Sequence, residues 1–315
     1  MKFLITGGNG FIGSHIVDRL SKEHKVTVLD NNDTYGIMSQ AELQKLHKWR
    51  QRNWTWKNIS TIQGDVLNRL NCLQAFSYHP DIVIHLATYP RAKIVNDDPI
   101  VGVPKIINGT TNLLWHCSKF NVSKFVYVSS SMVYGDFDDG QKEASKTKPK
   151  NIYGEAKLTG ERLTKLFMKR DNLNYVIVRP SGVYGPGDMP DRVVSKFFDL
   201  AIQNKDITLH DGNNKVDFTY IDDTVEGIIL AATKKIANIS FNITAGNATS
   251  LRTLAENIKS ITASQSDIVD EGYNKLYPKR GTLDITRAKD LLEYNPKTNL
   301  MEGLKKYYEW LQNKV

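Results

Sequence analysis

The glycine-rich segment TGGNGFIG at residues 6–13 constrains the fold more than any other part of the 315-residue chain. It directly follows the apolar run KFLIT and directly precedes an amphipathic segment. Gly7, Gly10 and Gly13 are needed there because a tight turn takes φ angles that are costly for other residues. The backbone must also approach a pyrophosphate held at a helix N-terminus. The pattern therefore predicts a dinucleotide-binding turn between a first strand and a first helix.

Short apolar, β-branched runs alternate with amphipathic segments as far as residue 180. Continuous apolar strands separated by helices predict a parallel sheet that is covered on both faces. We therefore expect an α/β fold, a doubly wound parallel sheet of the Rossmann type, over residues 1–180. The predicted strands are 2–6, 25–29, 59–63, 81–87, 124–130 and 174–179, and the predicted helices lie near 11–22, 37–52, 100–120 and 152–170.

The character of the sequence changes after residue 179. The segment PSGVYGPGDMP at residues 180–190 is rich in Pro and Gly. Beyond it, short predicted strands at residues 217–221 and 240–244 are mixed with helices. We expect residues 181–315 to form a smaller α/β substrate-binding domain across the carboxyl edge of the sheet, with the chain crossing back at least once.

The second predicted strand ends in Asp30, which suits one cofactor better than another. A carboxylate there accepts hydrogen bonds from the two hydroxyls of an adenosine ribose and repels a 2′-phosphate, so residues 1–180 are predicted to bind NAD rather than NADP. Asp65 is placed to meet the adenine edge, with an ordinary turn aspartate as the alternative. The predicted cofactor-binding residues are Gly7, Gly10, Phe11, Ile12, Gly13, Asp30, Asn31, Asp65, Val66, Leu86, Ala87, Tyr153 and Lys157.

Tyr153 and Lys157 lie four residues apart on one face of a predicted helix. Taken alone, the pair does not identify a catalytic site, because side chains four residues apart on a helix are usually two surface residues. A phenol with a pKa of about 10 is a poor base at neutral pH, and lowering that pKa to near 7 requires about 4 kcal/mol of extra stabilisation of the phenolate. The Lys157 ammonium and a positive nicotinamide ring are the obvious sources, because one solvated charge would not suffice.

Taken in order, the glycine turn, Asp30, the serine cluster VSSSMVYG at residues 128–135 and the pair Tyr153 and Lys157 resemble the extended short-chain dehydrogenase/reductase family. Within that family, the nucleotide-sugar epimerase/dehydratase group is most similar. The resemblance covers nearly the whole chain. It includes HLAT (85–88), NGTTNLL (108–114), VYGPG (183–187), DFTYIDD (217–223) and RGTLDITRAK (280–289).

The resemblance implies roles for individual residues. It makes Ser130, Tyr153 and Lys157 the catalytic residues, with the Ser130 hydroxyl binding the reacting sugar oxygen. The neighbouring Ser129 and Ser131 are expected to be structural. Arg280 matches a diphosphate-binding arginine whose fork suits a bidentate grip, with a surface arginine as the alternative.

The two residues after Ser130 discriminate between reactions of the family. The 4,6-dehydratases carry Asp and Glu there, and the related decarboxylases carry Glu at the second position, whereas this chain has Ser131 and Met132. A thioether neither accepts nor delivers a proton, so dehydration is not expected. What remains is epimerisation or plain oxidoreduction.

The resemblance favours an NAD-dependent epimerase that acts at C4 of a nucleotide sugar. Tyr153 would take the proton of the C4 hydroxyl while hydride passes to tightly bound NAD. The 4-keto sugar would then turn in the site and receive the hydride on its other face. The alternative is an NAD-dependent sugar or alcohol dehydrogenase, or a 4-keto-sugar reductase. A binding-only protein is disfavoured, because it would have no use for an activated tyrosine.

Three positions depart from the pattern of the family. Gly182 replaces an Asn that contacts the sugar nucleotide, Val216 replaces a phosphate-binding Arg, and Ile106 replaces a common Asn. The missing positive charge has two candidate sources, Lys215 and Arg192.

The net charge of +8 raises the question of a nucleic-acid partner. The densest basic stretch, KLHKWRQRNWTWK at residues 45–57, mixes Trp with Lys and Arg, but a solvated helix whose tryptophans dock on the body is the commoner outcome. We therefore expect no nucleic-acid partner, and a basic protein also suits an anionic small substrate.

Other expectations concern metals, location and assembly. Cys72 and Cys117 form neither a disulfide framework nor a metal cluster with the histidines, so no metal is expected. The short N-terminal apolar run and the lack of a membrane-length apolar stretch favour a cytoplasmic protein without a membrane partner. The resemblance implies a homodimer in which the Tyr153 helix and the helix near residues 100–118 pair with those of a second copy. Ala156 and Gly160 would permit close approach.

Overall fold

The computed structural model describes residues 1–89, 92–272 and 277–313. The strands are β1 (Lys2–Thr6), β2 (Lys25–Asp30), β3 (Ile59–Gln63), β4 (Ile82–His85), β5 (Lys124–Val128), β6 (Tyr175–Arg179), β7 (Gly182–Tyr184), β8 (Ile207–Leu209), β9 (Lys215–Tyr220), β10 (Ile239–Asn242), β11 (Ala248–Ser250) and β12 (Ile268–Asp270). Seven of them form a parallel sheet in the order β10-β6-β5-β4-β1-β2-β3. The order reverses beside β1, which confirms the predicted doubly wound fold.

The helices are α1 (Phe11–Ser21), α2 (Gln40–Arg50), α3 (Arg69–Phe76), α4 (Ala92–Asp97), α5 (Pro99–Lys119), α6 (Ile152–Asp171), α7 (Val193–Ile202), α8 (Ile221–Thr233), α9 (Leu251–Thr262), α10 (Thr286–Leu292) and α11 (Leu300–Gln312). Helices α1, α2, α5 and α6 lie where the sequence predicts them, within three residues at each end. Helices α3 and α4 were not predicted, because segments of one to two turns show little periodicity. No helix in the described part of the chain is long and apolar enough to cross a membrane.

The central sheet is buried on both faces because its strands are apolar at nearly every position. In β1, Phe3 and Ile5 join the core on one face of the sheet, together with residues of α1. Leu4, between them, joins the core on the other face with residues of α3 and α5. Each fully buried aliphatic or aromatic side chain contributes roughly 1.5–3 kcal/mol to folding. The two cores therefore hold the strand ends in a fixed array.

Strand β10 joins the central sheet although it follows residue 180. The sequence predicted a strand at residues 240–244 without assigning it to a sheet, and β10 pairs with β6 at the edge of the central sheet. Phe241 is fully buried in the core, and the Asn242 amide is held by hydrogen bonds within the body. The remaining short strands form a three-stranded sheet, β11-β9-β7, and a two-stranded sheet, β12-β8. The division at residue 180 remains a prediction.

Helix α6 packs against the central sheet through its small residues. A Cβ atom on Gly160 would lie 2.1 Å from Tyr127 Oη, and Tyr127 is 1% exposed. Ala156 is buried in a cluster with Tyr89 and Ile106 of the same chain. The expectation that Ala156 and Gly160 face a second copy is therefore wrong. Their small size is required inside the protomer, and the homodimer itself remains a prediction.

Candidate active site

A cavity of about 740 Å³ opens at the carboxyl edge of the central sheet, between the N-terminal and C-terminal parts of the chain. Such an edge is where open α/β sheets bind ligands. Every residue predicted for cofactor, substrate or catalysis lines this one cavity. They are Gly7, Gly10, Phe11, Ile12, Gly13, Asp30, Asn31, Asp65, Val66, Leu86, Ala87, Ser130, Tyr153, Lys157 and Arg280.

The glycine turn has the geometry that a pyrophosphate requires. Gly7 has φ +75°, and a Cβ there would lie 2.8 Å from the Ala87 nitrogen. Gly10 is the N-cap of α1 and makes no side-chain hydrogen bond to the first turn, and Phe11, Ile12 and Gly13 of that turn line the cavity. A Cβ on Gly13 would lie 2.1 Å from the Gly7 oxygen. The turn therefore fits a dinucleotide phosphate at the α1 N-terminus.

Asp30 and Asp65, the two carboxylates predicted to meet the adenosine, both line the cavity. Asp30 accepts hydrogen bonds from the backbone N–H groups of Asn9 and Asn32, both at 2.9 Å. Burial raises the pKa of Asp30, and these hydrogen bonds oppose the rise. Asp65 accepts from the Leu67 N–H at 2.9 Å, so the turn role weighed as the alternative is present. Its other oxygen accepts from the Asn31 side chain at 3.0 Å, which ties together the ends of two strands.

The serine cluster follows β5, and each of its three serines has a different partner. The Ser130 hydroxyl accepts from the Met132 N–H at 3.2 Å and lines the cavity. Ser129 donates to Glu161 at 2.7 Å. Ser131 donates to the Ser181 hydroxyl at 3.3 Å. Ser129 thus turns away from the catalytic position to serve a buried network.

Lys157 is held beside the end of β5. It is 3% exposed, and its ammonium donates to the Val128 carbonyl at 2.7 Å. Burial lowers the pKa of Lys157 to about 7, with the Glu161 carboxylate opposing the shift. Tyr153 lies one turn earlier on α6, half-buried against a cluster that includes Tyr89 and Ala156. Phenol and ammonium therefore reach the same end of the cavity as Ser130.

A buried ion pair between Arg179 and Glu161 lies next to Ser129 and was not predicted from the sequence. Arg179, at the end of β6, donates twice to Glu161, at 2.8 and 2.6 Å. It also donates to the Tyr134 hydroxyl at 2.9 Å, and Tyr134 donates to Asn242 at 2.7 Å. The only sequence signal was the position of Glu161, four residues after Lys157 on the same helix face. The network joins β6, β10, α6 and the segment that follows β5.

The C-terminal part supplies two arginines, Arg192 and Arg280, to the lining of the cavity. Burial lowers the pKa of Arg280 to about 10. Within the described residues, the buried Nε atoms of Arg280 and Arg192 have no hydrogen-bond partner. Arg192 Nε lies 3.8 Å from Asp188. Lys215 instead donates to Asp139 at 3.1 Å and does not line the cavity. Of the two candidates for the missing charge, the structure therefore brings Arg192 to the site.

Two of the departures from the family pattern are neighbours. A Cβ on Gly182 would lie 2.6 Å from Val216, so a larger side chain at 182 would require a change at 216. Both residues line the cavity and form one apolar wall. Ile106, the third departure, is buried in the cluster around Tyr89 instead.

The basic stretch at residues 45–57 docks on the body, as the sequence analysis favoured. The Trp54 indole is buried and donates to the Ser14 carbonyl at 3.1 Å, and Trp49 packs edge-on against Trp310. Trp56 is the exception, since half of it is exposed. Arg50, which was not predicted as a site residue, is buried and lines the cavity. Among the described residues no cluster of three His, Cys, Asp or Glu side chains could hold a metal ion.

Comparisons with known proteins agree with this geometry. The sequence profile of the NAD dependent epimerase/dehydratase family matches residues 3–244. A UDP-glucuronate 4-epimerase from Thermodesulfobacterium geofontis is 30% identical, covering 99% of this chain and 97% of that protein. A UDP-N-acetyl-alpha-D-glucosaminuronate decarboxylase from Bacillus cytotoxicus is also 30% identical, covering 98% and 97%. The crystal structure of a UDP-glucuronic acid 4-epimerase from Bacillus cereus, with UDP-glucuronic acid and NAD, superposes with a TM-score of 0.91 at 28% identity, covering all of both chains.

Proposed function

The chain belongs to the NAD dependent epimerase/dehydratase family, and on that premise we propose that it is an NAD-dependent epimerase of a nucleotide sugar, acting at C4. The observation that carries the proposal is one cavity with three parts. It joins a glycine turn and Asp30 for the cofactor, Ser130, Tyr153 and Lys157 for the reaction, and Arg192 and Arg280 for the substrate. NAD, when bound, supplies a hydride acceptor that returns the hydride to the same substrate.

The residues of the chain divide the remaining work. The Tyr153 phenol takes the proton of the sugar hydroxyl and later returns it, acting as general base and then as general acid. The Lys157 ammonium, buried beside the tyrosine, stabilises the phenolate form, because a nearby positive charge in a region of low dielectric lowers the pKa of a phenol. The Ser130 hydroxyl holds the reacting oxygen between them.

The serine cluster supports epimerisation over the other reactions of the family. Ser131 is bonded to Ser181, and Met132 lines the cavity with a thioether. Neither side chain removes a proton from carbon at neutral pH, so elimination and the chemistry of the decarboxylase relative lack their acid or base. Proton transfer at one hydroxyl, coupled to reversible hydride transfer, needs only the groups that are present.

The substrate side supports a nucleotide diphosphate sugar. Arg280 and Arg192 offer guanidinium forks, whose geometry suits phosphate oxygens. Both line the cavity. Gly182 and Val216 form an apolar wall of the cavity. Position 216 therefore supplies no positive charge, and the phosphates would be bound by Arg192 and Arg280.

We also propose that the protein is a homodimer. Large apolar side chains are exposed on the two helices that the family resemblance pairs across a dimer. Ile100 on α5 is 85% exposed and Leu166 on α6 is 58% exposed. Covering such side chains on association stabilises a dimer, which supports the proposal.

The proposed activity is tested without added cofactor. The purified protein is denatured and its released cofactor identified, while native protein is incubated with UDP-, GDP-, CDP- and dTDP-sugars and the products are separated. We expect retained NAD and an isomeric sugar that is absent with Tyr153→Phe. Cofactor-free protein that converts added NAD or NADH stoichiometrically would identify a dehydrogenase or reductase instead.

A further inference from the structure

Arg50, the last residue of α2, joins two loops that are distant in sequence. Its side chain is 5% exposed. Nε and Nη2 donate to the Gly187 carbonyl at 3.0 and 2.8 Å, and Nη1 donates to the Asn9 carbonyl at 2.9 Å. A single guanidinium thus spans the space between these loops.

The two loops belong to the two halves of the cavity. Asn9 lies inside the glycine turn, and its N–H donates to Asp30 at the cofactor end. Gly187 belongs to residues 185–192, here called the substrate-side segment, which runs into the N-terminus of α7. The members of this segment that line the cavity are Asp188, Met189, Asp191 and Arg192.

Other contacts hold the same segment from the cofactor side. His15, on α1, forms a hydrogen bond with the Pro186 carbonyl at 3.0 Å. Gly187 has φ +86°, and a Cβ there would lie 2.7 Å from the Trp49 ring. Two successive carbonyls and one glycine of the segment are therefore pinned against α1 and α2, with little room for movement.

The carboxylates of Asp188 and Asp30 balance the positive charge of Arg50. Burial lowers its pKa to about 10, while Asp188, which is 2% exposed, and Asp30 oppose the shift. The guanidinium therefore remains protonated at neutral pH. A lysine would keep the charge but could not donate in three fixed directions, because only guanidinium carries a planar fork of donors.

We propose that Arg50 is a positioning residue that fixes the spacing between the glycine turn and the substrate-side segment. The inference rests on the proposed epimerase function. In that reaction the sugar loses a hydride from C4 to the cofactor and a proton from its hydroxyl to Tyr153. The resulting 4-keto sugar must stay against the cofactor until the hydride returns.

Loosening the spacing has a specific chemical consequence. A keto sugar that leaves early takes no hydride with it, so the reduced cofactor stays on the enzyme and the proton passes from Tyr153 to solvent. A misplacement of about 1 Å can reduce turnover by about a hundredfold. If Arg50 fixes this spacing, its replacement should therefore make reduced nicotinamide accumulate during turnover.

The test compares Arg50→Lys and Arg50→Met with Lys48→Met, which removes a positive charge from an exposed position in the same turn of α2. Each variant is checked for folding by its melting curve and for retained NAD, and then given the nucleotide sugar that the wild type epimerises. We expect Arg50→Lys to turn over about tenfold to a hundredfold more slowly while the near-ultraviolet absorbance of reduced nicotinamide grows. Lys48→Met should match the wild type in both readouts.

Two outcomes would overturn the inference. One is a folded, NAD-loaded Arg50→Lys enzyme that matches Lys48→Met. The other is a slower enzyme without reduced nicotinamide. If the Arg50 variants unfold, His15→Leu, which removes the bond to Pro186, carries the same test. Failure of the proposed function is distinguishable, because the wild type itself would then form no isomer.

Discussion

Among single residues, Tyr153 and Lys157 are the ones on which the proposed reaction depends. The sequence places them on one helix face, and the structure brings them to the same end of a cavity as Ser130. Lys157 is buried and bonded to the Val128 carbonyl, so its position is fixed before any ligand arrives. In an amphipathic surface pair the lysine ammonium would be in water, whereas Lys157 is buried.

Replacing Tyr153 with Phe should remove the general base and leave the fold intact. We expect turnover to fall by about 10²–10⁴-fold, the range for loss of one proton-transferring group. NAD should still co-purify, because the glycine turn and Asp30 are untouched. Turnover and bound cofactor are measured on the same preparation. Near-normal turnover would remove Tyr153 from the mechanism.

The lowered pKa of Lys157 predicts a pH dependence of stability. The folded-state pKa of about 7 lies below the usual value for lysine, so between them the unfolded state binds more protons. Stability from this group therefore rises with pH, by up to about 1.4 kcal/mol per unit between about pH 7 and 10. Denaturant unfolding of cofactor-free protein is compared with that of Lys157→Met. The stability of the wild type relative to the variant should increase across this window.

The matched control for this measurement is Lys165→Met, which removes a charge from an exposed position of the same helix. Its difference from the wild type should stay constant with pH. A wild-type to Lys157→Met difference that is equally flat would contradict a buried lysine with a lowered pKa.

The sequence could predict residues of the cavity where the pattern that marks them is local. The glycines, Asp30, and the Tyr153 and Lys157 pair announce themselves within a few positions, and all line the cavity. No local pattern predicted that Arg50 lines the cavity or that Glu161 pairs with Arg179. Their partners are 137 and 18 residues away in sequence, so only the folded chain reveals that they meet.

At the scale of elements, helix α6 links the sheet to the chemistry. Its buried face packs on Tyr127 and carries Lys157 and Glu161, while its first turn carries Tyr153. The helix must therefore lie close to β5 for the catalytic residues to reach the cavity. Gly160 is the residue that allows this approach.

Gly160→Ala should destabilise the protein although alanine is the better helix former. Propensity alone would stabilise α6 by about 1 kcal/mol. The new methyl group would instead lie 2.1 Å from the buried Tyr127 hydroxyl, and overpacking of this kind costs about 1–3 kcal/mol. Lys169→Ala, at an exposed position of α6, is the control and should have little effect on the unfolding midpoint. A Gly160→Ala protein as stable as the wild type would contradict this prediction, because it would mean that Tyr127 moves away from the new methyl group at little cost in free energy.

Element prediction from sequence was accurate for the long, strongly patterned segments. It did not assign β10 to a sheet, because a four-residue apolar strand does not specify its neighbour. The C-terminal half of the chain thereby contributes the seventh strand of the central sheet. Pairing over a large sequence separation is set by tertiary packing, which a local pattern does not contain.

At the scale of the whole molecule, the site is built between the two parts of the chain. The N-terminal part contributes the glycine turn, Ser130, Tyr153 and Lys157 to the cavity lining, and the C-terminal part contributes Arg192 and Arg280. Neither part alone encloses the cavity, so binding of a large substrate should depend on how firmly the parts are joined. Arg50 and His15 are two of the joining contacts.

The proposed homodimer is tested by light scattering at micromolar concentration. We expect the mass of two chains for the wild type and of one chain for Ile100→Glu, because a charge buried in an apolar interface is strongly unfavourable. Leu291→Glu, at an exposed apolar position on α10, should remain dimeric. A wild type with the mass of one chain would contradict the dimer.

The central claim is that hydride leaves C4 and returns to the same carbon within one protein. The most direct measurement uses a nucleotide sugar that carries deuterium at C4, incubated in ordinary water without added cofactor. We expect an isomer that is inverted at C4 and keeps its deuterium. Loss of the label to solvent, or deuterium recovered in free reduced cofactor, would contradict it.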